Sequence, residues 1–219
     1  MTIITIDGPS ASGKGTIAKE IAKQLNFYYL DSGALYRIIA YITLKNNYTL
    51  LDMDKIVNDF HNTNIIFQKD NILLNANDIS QQIKNEEIGA LASKLATKSD
   101  IRNELLIWQK NYAVNKNLVT DGRDMGTIVF PHAVCKIFLI ADINKRALRR
   151  YLQLLEQNKK INQEEVLQAL IQRDDRDKNR SLAPLIAASD AFIIDNTDLT
   201  IDETVAMVLQ HFNSKIVKE

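Results

Sequence analysis

GPSASGKGT at residues 8–16 decides the fold. The stretch fits the spacing G-x-x-x-x-G-K and lies between two contrasting patterns. Before it, Thr2–Ile6 reads as a buried strand. After it, Ile17, Ile21 and Leu25 recur every four residues with Ala18 and Ala22 beside them, which predicts a helix. That strand–loop–helix context gives the spacing its physical meaning. Successive backbone N–H groups line a concavity at the positive end of the helix. Gly8 and Gly13 let the main chain approach phosphate oxygens without a Cβ clash, and Lys14 places a point charge near them. The candidate polyphosphate site is therefore Gly8, Pro9, Ser10, Ala11, Ser12, Gly13, Lys14, Gly15 and Thr16.

Gly15, rather than Ser or Thr, follows the lysine. Thr16 comes one place later and is expected to touch an α-phosphate rather than bond magnesium directly, so the ion would be held by water and phosphate oxygens. The G-K-G-T ending resembles nucleoside monophosphate kinases more than GTPases. A guanine-reading N-K-x-D is also missing: Asn144-Lys145-Arg146-Ala147 and Asn115-Lys116-Asn117-Leu118 both fail at the fourth residue.

Outward from the loop, Phe27–Leu30 reads as a second strand, with Asp31 or Ser32 able to cap a helix striped by Leu35, Ile38, Ile39 and Ile42. Residues 46–115 change character. Asn64–Gln68 and Ile72–Asn75 are short β-rich runs about the polar turn Lys69–Asn71, and two helical patterns follow, on Ile88, Leu91 and Leu95 and on Ile101, Leu105 and Trp108. Leu118–Thr120 and Lys136–Ala141 are apolar runs suited to strands buried on both faces. A helical stretch from Asn144 to about Asn179, broken near Lys159–Asn162, precedes a last strand, Ala191–Ile194, and a closing helix, Thr200–Ile216. Alternating strands and helices predict an α/β fold with a parallel sheet covered on both faces. The expected division is a core of residues 1–45 and 116–219, an insert of 46–115 and a lid at about 155–185.

Composition agrees with a catalyst of small molecules. The 27 basic and 27 acidic residues cancel, whereas a nucleic-acid or membrane-surface binder usually carries a basic excess. No apolar run approaches the ~18 residues of a membrane span. Cys135 is alone, so no internal disulfide can form, and a reducing cytoplasm is the expected home. It reads as a small buried hydrophobe. His61, His132 and His211 are scattered and read as ordinary structural or surface residues.

Three further clusters suggest a second phosphorylated ligand. Ser32, Tyr36 and Arg37 follow the second strand, at the carboxyl end where open α/β sheets bind ligands. DGRD at 121–124 follows another strand; Asp121 can organise magnesium-bound water and Arg123 can fork onto a phosphate. RDDRDKNR at 173–180 places Arg173, Arg176 and Arg180 at i, i+3 and i+7, one helix face, where a closing lid could neutralise a transferring phosphoryl group.

These motifs together resemble the bacterial cytidylate kinase family along nearly the whole chain: ITIDGPSASGKGT at 4–16, LDSGALYR at 30–37, DGRDMGTIVF at 121–130, KIFL at 136–139, and RDDRDKNR followed by Ala183-Pro184-Leu185. Many members have glycine where this chain has Ala11. The resemblance implies a P-loop core with a five-stranded parallel sheet, an acceptor lobe with a small β-sheet, and a short arginine-rich lid. It implies ATP as donor with Mg²⁺, CMP and dCMP as acceptors, and a cytoplasmic monomer with neither nucleic acid nor membrane as partner. Carried over, Ser93, Arg102 and Asp124 would read cytosine. Arg37, Arg123 and Arg180 would hold the CMP phosphate, and Arg173 and Asp177 would reach the ribose. Lys14, Arg123, Arg173, Arg176 and Arg180 are the implied catalytic cations.

Overall fold

The computed structural model describes residues 1–68, 71–156 and 161–216. Five strands form the main sheet: β1 (Ile3–Asp7), β2 (Tyr28–Asp31), β6 (Leu118–Gly122), β7 (Cys135–Ile140) and β8 (Phe192–Asp195), in the order β2-β6-β1-β7-β8. β1 pairs in parallel with β6 and β7, and β7 with β8. Between β2 and β6 lie β3 (Ile65–Gln68), β4 (Asn71–Leu74) and β5 (Asn77–Asp78), a small antiparallel sheet. The expected fold class is the observed one.

The apolar runs explain the main sheet. All five β1 residues are buried, and Ile4 and Ile6 are fully so. They share a core with Ile17 and Ile21 of α1 (Lys14–Leu25), with Val119, Ile137, Leu139 and Ile194 of neighbouring strands, and with Val205, Val208 and Phe212 of α8 (Ile201–Ile216). Each such side chain contributes about 1.5–3 kcal/mol relative to exposure. Parallel register sets Ile6 opposite Asp121, and Asp7 opposite both Gly122 and Phe138. The phosphate loop after β1 and the acidic end of β6 thus leave the same edge of adjacent strands, where α/β sheets place their ligands.

The chain forms two compact units, Met1–Tyr29 with Ala113–Glu219, and Leu30–Tyr112. The second begins at Leu30 rather than near residue 46, because α2 (Ser32–Lys45) packs on α3 (Met53–His61), on a 3₁₀ turn at Gln82–Lys84 and on α4 (Glu86–Leu95). α5 (Ser99–Ala113) closes it, with Trp108 stacked 5.3 Å from Tyr112 and 5.9 Å from Phe67. The first unit also holds α6 (Ile143–Glu156) and α7 (Gln163–Asn179). The turn expected at Lys69–Asn71 and the break expected near Lys159–Asn162 fall partly on 69–70 and 157–160, outside the described residues. Asn162 caps α7, its side chain accepting from Glu164 N. Among the described residues no helix is long and apolar enough to cross a membrane.

Two local expectations are corrected. Asp31, not Ser32, caps α2, accepting from Ala34 N; Ser32 is the first helical residue and is buried. Arg173, Arg176 and Arg180 do not share a helix face. α7 stops at Asn179, Arg180 turns extended at ψ 138°, and the buried face is Val166, Leu170, Asp174 and Asp177. Arg176 is exposed.

Candidate active site

The phosphate loop is shaped from several directions. Gly8 has no room for a side chain: a Cβ there would lie 2.4 Å from Leu139 O. Gly13 caps α1 at φ 87°, a left-handed conformation that glycine adopts cheaply. Ala11 sits at φ 58°, which accounts for glycine being an easy alternative there. The loop's carbonyls are occupied by donors: Lys14 Nζ reaches Pro9 O at 3.2 Å, Arg146 Nη1 donates to Ser10 O at 3.0 Å, and Asn196 Nδ2 to Ser12 O at 2.8 Å. With the carbonyls tied down, the N–H groups at the start of α1, which have no intrahelical acceptor, form an anion cradle.

A second cationic group stands beside this cradle. Arg123, just past β6, donates through Nη2 to Ser10 Oγ (2.7 Å) and through Nε to Asp177 Oδ2 (2.8 Å). Burial by itself would raise the Asp177 carboxyl, but Arg123, Arg173 and Arg180 outweigh it and hold the group below its ordinary range. Arg180 Nη2 lies 3.7 Å from Asp124 Oδ1, and both side chains are buried. The first unit thus brings together Ser10, Arg123 and Asp177, and separately Asp124 and Arg180, but leaves Arg176 outside both groups.

Asp121, 4% exposed, accepts a 2.6 Å hydrogen bond from the Tyr29 hydroxyl on Oδ1. Asp7, the last residue of β1, accepts from Met125 N (2.9 Å) and Gly126 N (2.8 Å), so it clamps the turn that follows Asp124. Burial pushes the Asp7 carboxyl up to about 6; the two amides and Lys14 pull the other way, and Asp124 adds to the rise. A cavity of about 430 Å³ opens beside Gly13 and Thr16, bounded also by Arg149, Asn196 and Thr200.

In the second unit, Arg37 is half-buried and donates to Ile83 O (2.7 Å) and Asn85 O (3.2 Å), so it is not a solvated helix charge. The Arg102 guanidinium lies 5.9 Å from the Tyr36 ring centre, and its Nη1 reaches Ala96 O at 3.2 Å. Ser93 is buried, and its Oγ has no hydrogen-bond partner among the described residues.

Comparison with known proteins matches residues 4–214 to the family model for cytidylate kinase. The chain belongs to the cytidylate kinase family. The cytidylate kinase of Nitrosomonas europaea is 44% identical over 210 residues, covering 96% of this chain and 94% of that protein. That of Chromobacterium violaceum is 44% identical over 213 residues, covering 97% and 96%. The shikimate kinase structure from Bacteroides thetaiotaomicron aligns with a TM-score of 0.50 at 14% identity, over 95% of this chain and 97% of that one; that likeness is one of fold.

For a cytidylate kinase family member, the residues that sequence reasoning missed are Arg146 and Asn196, which support the loop, and Asp7, which clamps the turn after Asp124. Asp7 carried a signal, a carboxylate ending an apolar strand. Arg146 and Asn196 carried little, since each meets the loop across 136 and 184 residues of chain. Cys135 is free and buried, its thiol pushed up to about 12 by burial, as its apolar setting led us to expect.

Proposed function

We propose that this protein transfers the terminal phosphoryl group of ATP to CMP, and to dCMP, by a direct in-line step. The observation that carries the reading is Arg123, a guanidinium suited to an acceptor phosphate, standing 2.7 Å from Ser10 of the loop suited to the donor. The acceptor already presents an anionic oxygen, so no strong general base is needed. Rate comes from positioning and charge. Lys14 neutralises the β- and γ-phosphates, and Arg173 and Arg180, on a lid of about residues 155–185, cover the moving group and exclude water. The donor's base takes the cavity beside Gly13 and Thr16.

The acceptor roles follow the residue chemistry. Asp124 accepts from the exocyclic amine of cytosine and repels the carbonyl that uracil presents there, while Arg102 donates to N3 and O2 and Ser93 offers a buried hydroxyl with no partner among the described residues. Arg37, Arg123 and Arg180 hold the phosphate, Arg173 and Asp177 the ribose, and Ser32 and Tyr36 line the approach. Residues 46–115, with α2, serve as the acceptor lobe.

Mg²⁺ fits the donor set at the end of β6. Asp121 offers a hard carboxylate whose Oδ1 is oriented by Tyr29, and it would act through water, with phosphate oxygens completing the shell. Bound there, the ion would neutralise charge on the donor phosphates. We place the protein in the cytoplasm as a monomer. Coupled measurement of ADP formation across CMP, dCMP, UMP, AMP and GMP tests the assignment: CMP and dCMP should be preferred by orders of magnitude, and equal use of UMP would overturn it.

A further inference from the structure

Arg146, on the first turn of α6, is 6% exposed, and its guanidinium joins three parts of the first unit. Nε donates to Ala141 O (2.9 Å), and Nη1 to both Ser10 O (3.0 Å) and Asp174 Oδ2 (2.6 Å). Asp174 lies on the buried face of α7, one turn before Asp177, which holds Arg123; Arg123 in turn reaches Ser10 Oγ. Ser10 therefore receives two arginine links, one on its carbonyl and one on its hydroxyl. Both run to aspartates at i and i+3 of the same helix. The links differ in what else they must do. Arg123 and Asp177 have acceptor roles in the function proposed above. Arg146 and Asp174 have none, and both are buried.

We propose that Arg146 and Asp174 are a positioning pair, setting the arginine-bearing helix α7 at the distance from the phosphate loop that transfer requires. A buried ion pair is a weak device for stability, because desolvation offsets most of its attraction; its advantage is geometric definition. A guanidinium that bonds a loop carbonyl and a helix carboxylate through one nitrogen defines that geometry tightly. The inference rests on the phosphotransferase reading, since it is the α7 cations whose placement matters.

The test replaces the pair together, Arg146→Met with Asp174→Leu, which leaves neither charge buried and unpaired. The folded double variant should lose about ten-fold or more in kcat while KM for ATP changes less than about three-fold. Arg146→Lys, which keeps the charge but cannot span all three acceptors, should lose kcat in the same sense. A pair that merely stabilised the fold would lower Tm and leave kcat per folded molecule within about two-fold, and that result overturns the proposal. Hydrogen exchange without nucleotide separates this from failure of the functional reading. Amides of α7 should exchange about ten-fold faster in the double variant, with those of α1 and β1 unchanged. Were the wild type to leave CMP unphosphorylated, exchange alone would decide, and unaltered α7 exchange would sink the pair.

Discussion

Arg123 Nε and Asp177 Oδ2 meet at 2.8 Å across 54 residues of chain, with both side chains nearly buried. The same guanidinium reaches Ser10 Oγ, so its planar fork is used in two directions. Lysine would keep the charge and lose that geometry. Arg123→Lys is expected to lower kcat/KM for CMP about 100-fold, the equivalent of one or two charged hydrogen bonds. KM for ATP should change little. Initial rates with CMP varied at saturating ATP check this, and a loss under about five-fold would remove Arg123 from the acceptor site.

Lys14 separates fold from chemistry. Its ammonium touches Pro9 O at 3.2 Å in a part-buried setting, a contact worth little to stability. Lys14→Met is expected to reduce kcat by about 10³-fold or more while Tm moves by only a few degrees. Activity measured beside a melting curve tests both halves. Near-normal turnover would exclude the proposed charge neutralisation.

Much of this architecture is written in local pattern, and the reason differs from element to element. The main-sheet strands lie within one or two residues of their expected places, and for β1, β6 and most of β7 the reason is burial on both faces, which demands unbroken apolar runs. α3 left little trace: it is nine residues long with only Ile56 and Phe60 buried. The π-type turn at Met125–Val129 depends on main-chain bonds such as Val129 N to Asp124 O, which side-chain periodicity does not encode. The arginine helix was misread for a related reason. The i, i+3, i+7 spacing is sound only if the helix continues, and it stops one residue before Arg180. Among the site residues, Ser10 and Lys14 follow from loop spacing, whereas Arg146 owes its place to Ser10 and Asp174, neither near it in sequence.

Metal dependence should report on Asp121 and Tyr29. Chelation by EDTA is expected to abolish turnover, and excess Mg²⁺ to restore it. Asp121→Asn keeps the shape but loses the charge that orders metal-bound water, so half-saturation in free Mg²⁺ should rise about ten-fold. Tyr29→Phe removes the 2.6 Å hydrogen bond to Oδ1 but keeps the carboxylate, and should move it less. Rates titrated against free Mg²⁺ at saturating substrates distinguish the three proteins. Identical curves would place the ion elsewhere.

Asp7 should make stability depend on pH in a recognisable direction. Its carboxyl rises from an ordinary 3.8 to about 6, chiefly because burial disfavours the charged form, and the Met125 and Gly126 amides recover only part of that cost. The folded protein therefore holds this proton more tightly than the unfolded chain. Its contribution is fully present below about pH 4 and is lost as pH climbs through about 6. A shift of about two units corresponds to at most about 3 kcal/mol. Asp7→Asn cannot titrate, and groups that do not interact with Asp7 cancel in the comparison. The unfolding free energy of the wild type minus that of the variant should fall between about pH 4 and 6.5, then level off. Urea denaturation of both proteins at several pH values measures it. A difference that grew with pH would mean that the two backbone amides, not burial, govern this carboxylate, and the clamp on the Asp124 turn would then be strongest in its ionised form.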